Sequence, residues 1–254
     1  MAAFQLEKYD HLAVLTLNSA EKRNLLTPQS ALAIAEAVNA LPDDPAIKAL
    51  AVTGRNDSFC SGADLAALQQ AAFGDGEELQ QIYAAFTSVA HSPLLTIALL
   101  NGPALGAGMN LAMACDIRLA SEQAWFESRF FQLAIHPGGG HTWLLPQLVG
   151  WQQAAAMVFC GERLSAQQAL QTGFVKELWP EEQLLTRAKQ LTTGLKSLPT
   201  ELVRQTKNTM LAMRHCSRQD DAVAFEFRQQ FHSLQQPEAQ QHIAALIEKI
   251  KRKF

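Results

Sequence analysis

The chain has little cysteine and little charge, and it has no long apolar run. Its 254 residues hold four cysteines, Cys60, Cys115, Cys160 and Cys216, far apart and without a C-x-x-C pair. That spacing excludes a disulfide framework and a cysteine-based metal site. The economical reading makes Cys115 and Cys160 core thiols and Cys60 a packed turn residue, in a protein kept reduced in the cytoplasm. Charged residues make up 18% and the net charge is −3, so no basic field exists to hold a nucleic-acid backbone, and nucleic acid is not expected as a partner. The apolar stretch 93–100 is too short to cross a bilayer, and the start, Met-Ala-Ala-Phe-Gln-Leu-Glu, lacks a basic segment followed by an apolar one. No membrane span and no leader are expected. Internal repeats are absent too, as is any motif for a nicotinamide, a flavin or a metal.

What is there is apolar and alternating. Apolar residues make up 48%, enough for one large core or two modest ones. A strand is read over 11–17, followed by a helix that Thr27 caps and Pro28 opens, with Ala31, Ile34, Ala35 and Val38 on one face and Leu41-Pro42 at its end. Strand 47–53, a helix from near Gly62, a longer helix within 77–91, strand 94–100, helix 107–114 and strand 116–119 follow. Strands alternating with helices favour parallel pairing by right-handed crossovers, the α/β class. Beyond residue 178 the chain reads as helix, over 181–195, 200–214, 218–234 and 238–251, punctuated by Pro180, Pro199 and Pro237. The expected division is a β/α core over 1–195 and a helical region over 196–254, whose mixed apolar and polar faces suit a lid over a neighbour.

Two turns carry the chemistry. Asn101-Gly102-Pro103-Ala104-Leu105-Gly106-Ala107-Gly108-Met109-Asn110 leads an apolar strand through three glycines into an apolar helix, and Ser58-Phe59-Cys60-Ser61-Gly62-Ala63-Asp64-Leu65 repeats the arrangement after another strand. Small residues let a ligand approach the main chain, and the first N–H groups of a helix have no internal partner and lie at its positive end. Each turn alone is compatible with simple packing. Two that converged would form an oxyanion hole.

Together with Asn18-Ser19-Ala20-Glu21-Lys22-Arg23-Asn24-Leu25, with Cys115-Asp116-Ile117-Arg118-Leu119-Ala120 and with Pro137-Gly138-Gly139-Gly140, these turns resemble the crotonase superfamily, the enoyl-CoA hydratase/isomerase family, over essentially the whole chain. The resemblance implies a crotonase-like spiral of ββα units with a helical C-terminal region, assembled as a homotrimer or a dimer of trimers. It implies an acyl-CoA thioester as substrate, with coenzyme A entering only as part of that substrate and no other cofactor. The thioester oxygen would be held by the N–H groups of Ala63 and Ala107, with Asp64 and Leu65 completing the first turn. Lys22 and Arg23 match the place that meets the coenzyme A phosphates, Phe231 resembles an aromatic that packs near the adenine of a neighbouring subunit, and Lys249 belongs to a basic tail with Lys251, Arg252 and Lys253. Residues 69–81, broken by Gly74-Asp75-Gly76, are expected to border the acyl pocket.

One departure stands out. Hydratases of this family use two glutamates to activate water, and the resemblance puts their places at Asn110 and Phe130, neither of which takes a proton at neutral pH. Glu127, His136 and His141 lie near enough to replace them. Glu127 also reads as a structural ion pair with Arg129, and each histidine also as a residue that caps or lines a turn, although imidazole is well matched to proton transfer near neutrality. Asn110 itself could orient a water or a substrate carbonyl. Isomerisation and decarboxylation need fewer acids than hydration, and loss of both acids also fits a non-catalytic acyl-CoA binder or an oligomeric scaffold.

Overall fold

A computed structural model of the chain describes residues 3–19, 21 and 23–252. It opens with a hairpin of β1 (Phe4–Tyr9) and β2 (Leu12–Leu17), paired from Phe4↔Leu17 to Tyr9↔Leu12. Strand β2 then pairs in parallel with β3 (Ala49–Gly54), β3 with β4 (Leu95–Leu100), β4 with β6 (Ile117–Ala120) and β6 with β9 (Glu177–Leu178), giving the order β1-β2-β3-β4-β6-β9. The central strands are covered on both faces. Ala13, Leu15, Leu50 and Val52 point into the main core with Ile34 and Val38, while Leu12, Val14, Ala49 and Ala51 point the other way into a second cluster with Leu184 and Ala188. Burial on both faces explains why these strands read as continuous apolar runs.

Helix α1 (Pro28–Ala40) starts as its sequence requires: the Thr27 side chain accepts from the Ser30 N–H, and Ser30 answers at the Thr27 N–H. Helix α2 (Leu65–Ala72) begins three residues after Gly62, because Asp64 caps it by accepting from the Ala66 N–H at 3.1 Å. Helix α3 (Glu77–His91) packs on α1, and α4 (Ala107–Ala114) is buried over all but its last residue. A second, three-stranded sheet holds β5 (Ala104–Leu105), β7 (Trp125–Glu127) and β8 (Leu164–Ser165) in the order β5-β7-β8.

Three helices here were not expected: α5 (His141–Val149), α6 (Trp151–Phe159) and α7 (Ala166–Gln171). Pro146 inside α5 and the left-handed Gly150 between α5 and α6 break the apolar period that would have revealed them. Strand β1 was missed for another reason, since four of its six residues are exposed and its one-sided pattern is faint. The helix expected over 181–195 is shorter, α8 (Leu184–Thr192), flanked by 3-10 turns at Glu181–Gln183 and Thr193–Leu195. Cys115 is buried as expected, but Cys160 caps the end of α6 and is exposed, so it is no core thiol.

By its internal contacts the chain divides into two compact units, 1–196 and 197–254. The second holds α9 (Thr200–Met213), α10 (Gln219–Leu234) and α11 (Pro237–Lys251). Among the described residues no helix is long and apolar enough to cross a membrane.

Candidate active site

The first turn is set by Leu26. Its N–H donates to Gly62 O at 2.8 Å and its carbonyl accepts from Asp64 N at 2.9 Å, a parallel bridge that straddles Ala63. In such a bridge the straddled residue turns its own N–H to the opposite side, here away from Leu26. The second turn delivers Ala107 as the first residue of α4, so its N–H has no acceptor within the helix. Glycine lets the two turns meet. A Cβ on Gly62, whose φ is +111°, would lie 3.0 Å from Leu105 O and 3.8 Å from Ala107 N. A Cβ on Gly108 would collide with the Cys60 carbonyl. Cys60 is fully buried, and burial pushes its thiol up to about 12, which removes it as a nucleophile.

Ala63 and Ala107 face one cavity of about 740 Å³. Leu25, Leu65, Leu68, Leu79, Leu133 and Ile135 give it apolar walls, and its polar side chains are Ser61, Gln69, Tyr83, Asn110, Ser128, Arg129, Gln132 and His136. Residues 69, 71, 72 and 79 of the segment expected to border the acyl pocket do line it. Among the described residues no aspartate or glutamate does.

Beside the cavity three polar side chains form a directed chain. Asn110 Nδ2 donates to Gly138 O at 3.0 Å, which fixes the amide and leaves Oδ1 as an acceptor. Oδ1 lies 2.8 Å from His141 Nδ1, so that nitrogen carries the proton; Nε2 then has its lone pair free for the Ser128 hydroxyl at 3.0 Å. Burial pushes the imidazole down to about 4, so it is neutral across the physiological range. Ser128 is the member of this chain that sequence reasoning missed. Its sole signal was a small polar residue directly after the short apolar strand β7.

Residues 7–254 match the family model for enoyl-CoA hydratase/isomerase. The chain belongs to the enoyl-CoA hydratase/isomerase family. The relative named "Probable enoyl-CoA hydratase EchA14" from Mycobacterium tuberculosis (strain ATCC 25618 / H37Rv) is 37% identical over 242 residues, which cover 92% of this chain and 93% of that one. Crotonyl-CoA hydratase of Syntrophomonas wolfei subsp. wolfei is 36% identical over 204 residues, 80% of this chain and 78% of that one. Among solved structures, an enoyl-CoA hydratase from Polaromonas sp. JS666 matches with a TM-score of 0.88 at 26% identity over 97% of both chains. The fold is therefore the crotonase fold, and the protein is an enzyme of the hydratase/isomerase family.

Against that family pattern the acids remain the departure. Asn110 and Phe130 both line the cavity, and the Phe130 ring stands edge-on to His141 with centroids 5.0 Å apart. Glu127, considered as a replacement acid, is turned elsewhere. Arg129 Nε reaches its Oε2 at 3.1 Å and Arg163 Nε at 3.3 Å, while Gln132 donates to Oε1. Burial alone would raise this carboxyl, but the hydrogen bonds from Gln132 and Arg129 and the charges of Arg129 and Arg163 outweigh it and hold it below its ordinary value. Glu127 does not line the cavity. Its geometry is that of the ion pair, reached through a turn, because the strand ends at Glu127 and Arg129 takes a φ of +62°.

His136 is exposed, lines the cavity and makes a 2.8 Å contact through Nδ1 with Pro137 O; His141 is wholly buried behind Ser128, Asn110 and Phe130, which do line the cavity. Asp64 is occupied as the cap of α2, and of its turn Leu65, not Asp64, lines the cavity. Arg23 is exposed in the turn before α1, and Lys22 lies outside the described residues. Phe231 and Lys249 belong to the second unit, where Phe231 is 52% exposed and stacks on Phe227, and Lys249 is exposed in the last turn of α11. Among the described residues no group of three or more His, Cys, Asp or Glu side chains is placed to hold a metal ion.

Proposed function

We propose that the cavity binds an acyl-CoA thioester with its carbonyl oxygen between the N–H groups of Ala63 and Ala107, and that these donors stabilise the enolate formed when a bond at the α-carbon breaks. The observation that carries this is the approach of the two turns, measured by the 3.8 Å between a Cβ position on Gly62 and Ala107 N. Preorganised donors of this kind are each worth on the order of 3–4 kcal/mol in a site closed to water. With no carboxylate among the described residues of the cavity wall, a water held between two glutamates is not the chemistry of these residues; double-bond isomerisation through the enolate is the better reading, with the His136 imidazole on the cavity wall taking the α-proton and returning it at the γ-carbon.

Arg23, with Lys22, is proposed to meet the coenzyme A phosphates. A homotrimer or dimer of trimers is proposed for the assembly, supported by the exposed apolar side chains of the second unit, Phe227, Phe231, Leu246, Ile247 and Ile250. The wide spacing of the four cysteines, without a C-x-x-C pair, supports a reducing, cytoplasmic setting.

The test is incubation with trans-2- and trans-3-enoyl-CoA esters in heavy water, followed by product mass. Deuterium uptake without added water is the expected result. Addition of a heavy water would establish hydration instead, and esters that bind without any exchange would make the protein a binder.

A further inference from the structure

We propose that Ser128, His141 and Asn110 form a nucleophile, a general base and a positioning residue that cleave the bound thioester through an acyl-serine intermediate. This activity rests on the thioester reading above, since it uses the same cavity and the same two N–H donors. An oxyanion hole stabilises the tetrahedral oxyanion of acyl transfer as readily as an enolate.

The argument begins with direction. Gly138 O takes the Asn110 amide hydrogen, Asn110 Oδ1 takes the His141 Nδ1 hydrogen, and His141 Nε2 is left to accept from Ser128 at 3.0 Å. A hydroxyl hydrogen-bonded to a neutral imidazole, itself oriented by a third group, is the signature of an activated nucleophile, and an asparagine carbonyl can fill the third role. A purely structural chain would have no need of a cavity, yet Ser128 and Asn110 line the cavity that Ala63 and Ala107 face. Side-chain burial is almost complete, with Asn110 and Ser128 at 1% exposure and His141 at 0%. A hydroxyl this buried meets substrate through the cavity that Ser128 lines.

The step balances without any outside reagent but water. Ser128 Oγ bonds to the thioester carbon while its proton passes to His141 Nε2. The carbon–sulfur bond then breaks, and the imidazolium returns the proton to the departing sulfur, releasing coenzyme A as the free thiol. Water next attacks the serine ester, giving one proton to His141, which hands it back to Ser128 Oγ as the carboxylic acid leaves. Among the described residues the side chains hydrogen-bonded to His141 are Asn110 and Ser128, neither a carboxylate that would compensate the transient imidazolium. Both half-reactions are consequently slow, and because the serine oxygen ester is less electrophilic than the thioester it replaces, deacylation is the slower of the two and the acyl-enzyme accumulates.

Butyryl-CoA is the probe, because a saturated chain offers nothing to hydrate or isomerise. The full chain is incubated with it in heavy water, and four quantities are followed: ester binding by thermal shift, free coenzyme A, α-carbon deuterium, and protein mass with peptide mapping to separate Ser128 from the exposed Cys160. The expected result is a butyryl group on Ser128 and slow release of coenzyme A. Ser128→Ala should lower both by about 100-fold or more with the ester still bound. Ser128→Cys should keep the adduct as a thioester and secures the test if the alanine variant does not fold. Binding and deuterium exchange without an adduct on Ser128, or thiol release that survives Ser128→Ala, would overturn the acyl-serine step and leave the enolate reading standing. Absence of both binding and exchange would overturn the two together.

Discussion

His141 Nδ1 and Asn110 Oδ1 lie 2.8 Å apart, on the first residue of one helix and the fourth of another. The contact decides which nitrogen of a buried imidazole carries its proton. An aspartate in place of Asn110 would favour the imidazolium; the amide favours the neutral ring with a proton on Nδ1. Burial works in the same direction, and together they give this site a hydroxyl and a neutral base where the family's hydratases use carboxylates.

The depressed imidazole implies a specific pH dependence of stability. Unfolded, His141 titrates near its ordinary 6.5; folded, at about 4. Between those values the unfolded state binds more protons, so stability rises with pH through this window and is lost as pH falls from 6.5 through 4. The full effect is about 3 kcal/mol, from a gap of roughly 2.5 units at 1.36 kcal/mol each. Urea unfolding at pH 4.5 and pH 7 should show most of that loss, and His141→Gln should flatten the difference. An unchanged difference in the variant would place the titration elsewhere.

Asn110→Asp should move the same imidazole upward by one to three units, because an opposite charge now lies within hydrogen-bonding reach. The new carboxylate also faces the Gly138 carbonyl that Asn110 Nδ2 contacts at 3.0 Å, so the variant should be less stable by about 1–3 kcal/mol. The imidazole C–H resonance of His141, followed by NMR, reads the shift directly. A wild-type resonance that titrates near 6.5 would contradict the buried neutral ring.

Glu127→Gln separates an ion-pair role from a catalytic one. The Glu127 side chain is 3% exposed, but its partners Arg129 and Arg163 are 41% and 63% exposed at the side chain, so solvent relieves them when it is lost. A cost of about 1–2 kcal/mol is expected, below the ~3–5 kcal/mol for breaking a fully buried pair. Deuterium exchange should persist within about tenfold, reduced because Arg129 lines the cavity and loses its anchor. Exchange abolished at unchanged stability would restore Glu127 as the proton carrier.

Much of this was legible from the residues, for identifiable reasons. Thr27-Pro28 and the run after Gly106 mark helix starts through local chemistry alone, and the structure opens α1 at Pro28 and α4 at Ala107. The family followed from turns whose small residues are needed for close backbone approach, as Gly62 and Gly108 demonstrate. What could not be read was the meeting of side chains. Asn110 and His141 were each singled out, yet nothing in a spacing of 31 positions shows that they touch, and Ser128 was passed over for the more conspicuous Glu127 beside it. The choice between those neighbours depends on where β7 ends and how Arg129 turns the chain, and a positive φ at an arginine leaves no mark in a sequence.

The oxyanion hole can be tested at a single atom. Ala107 is the first residue of α4, a position that proline accepts because its N–H has no partner inside the helix. The preceding Gly106, at φ +50° and ψ −114°, has no Cβ to clash with the incoming ring. Ala107→Pro therefore removes one donor while leaving the helix start intact, whereas Ala107→Gly keeps the donor and serves as its control. Loss of one such donor should lower the exchange rate by about 100- to 1,000-fold, with little change in far-ultraviolet dichroism. The glycine variant should stay within about tenfold of the parent, since it alters only a methyl beside the thioester. If the proline variant exchanges as fast as the glycine one, the enolate oxygen is not held by Ala107.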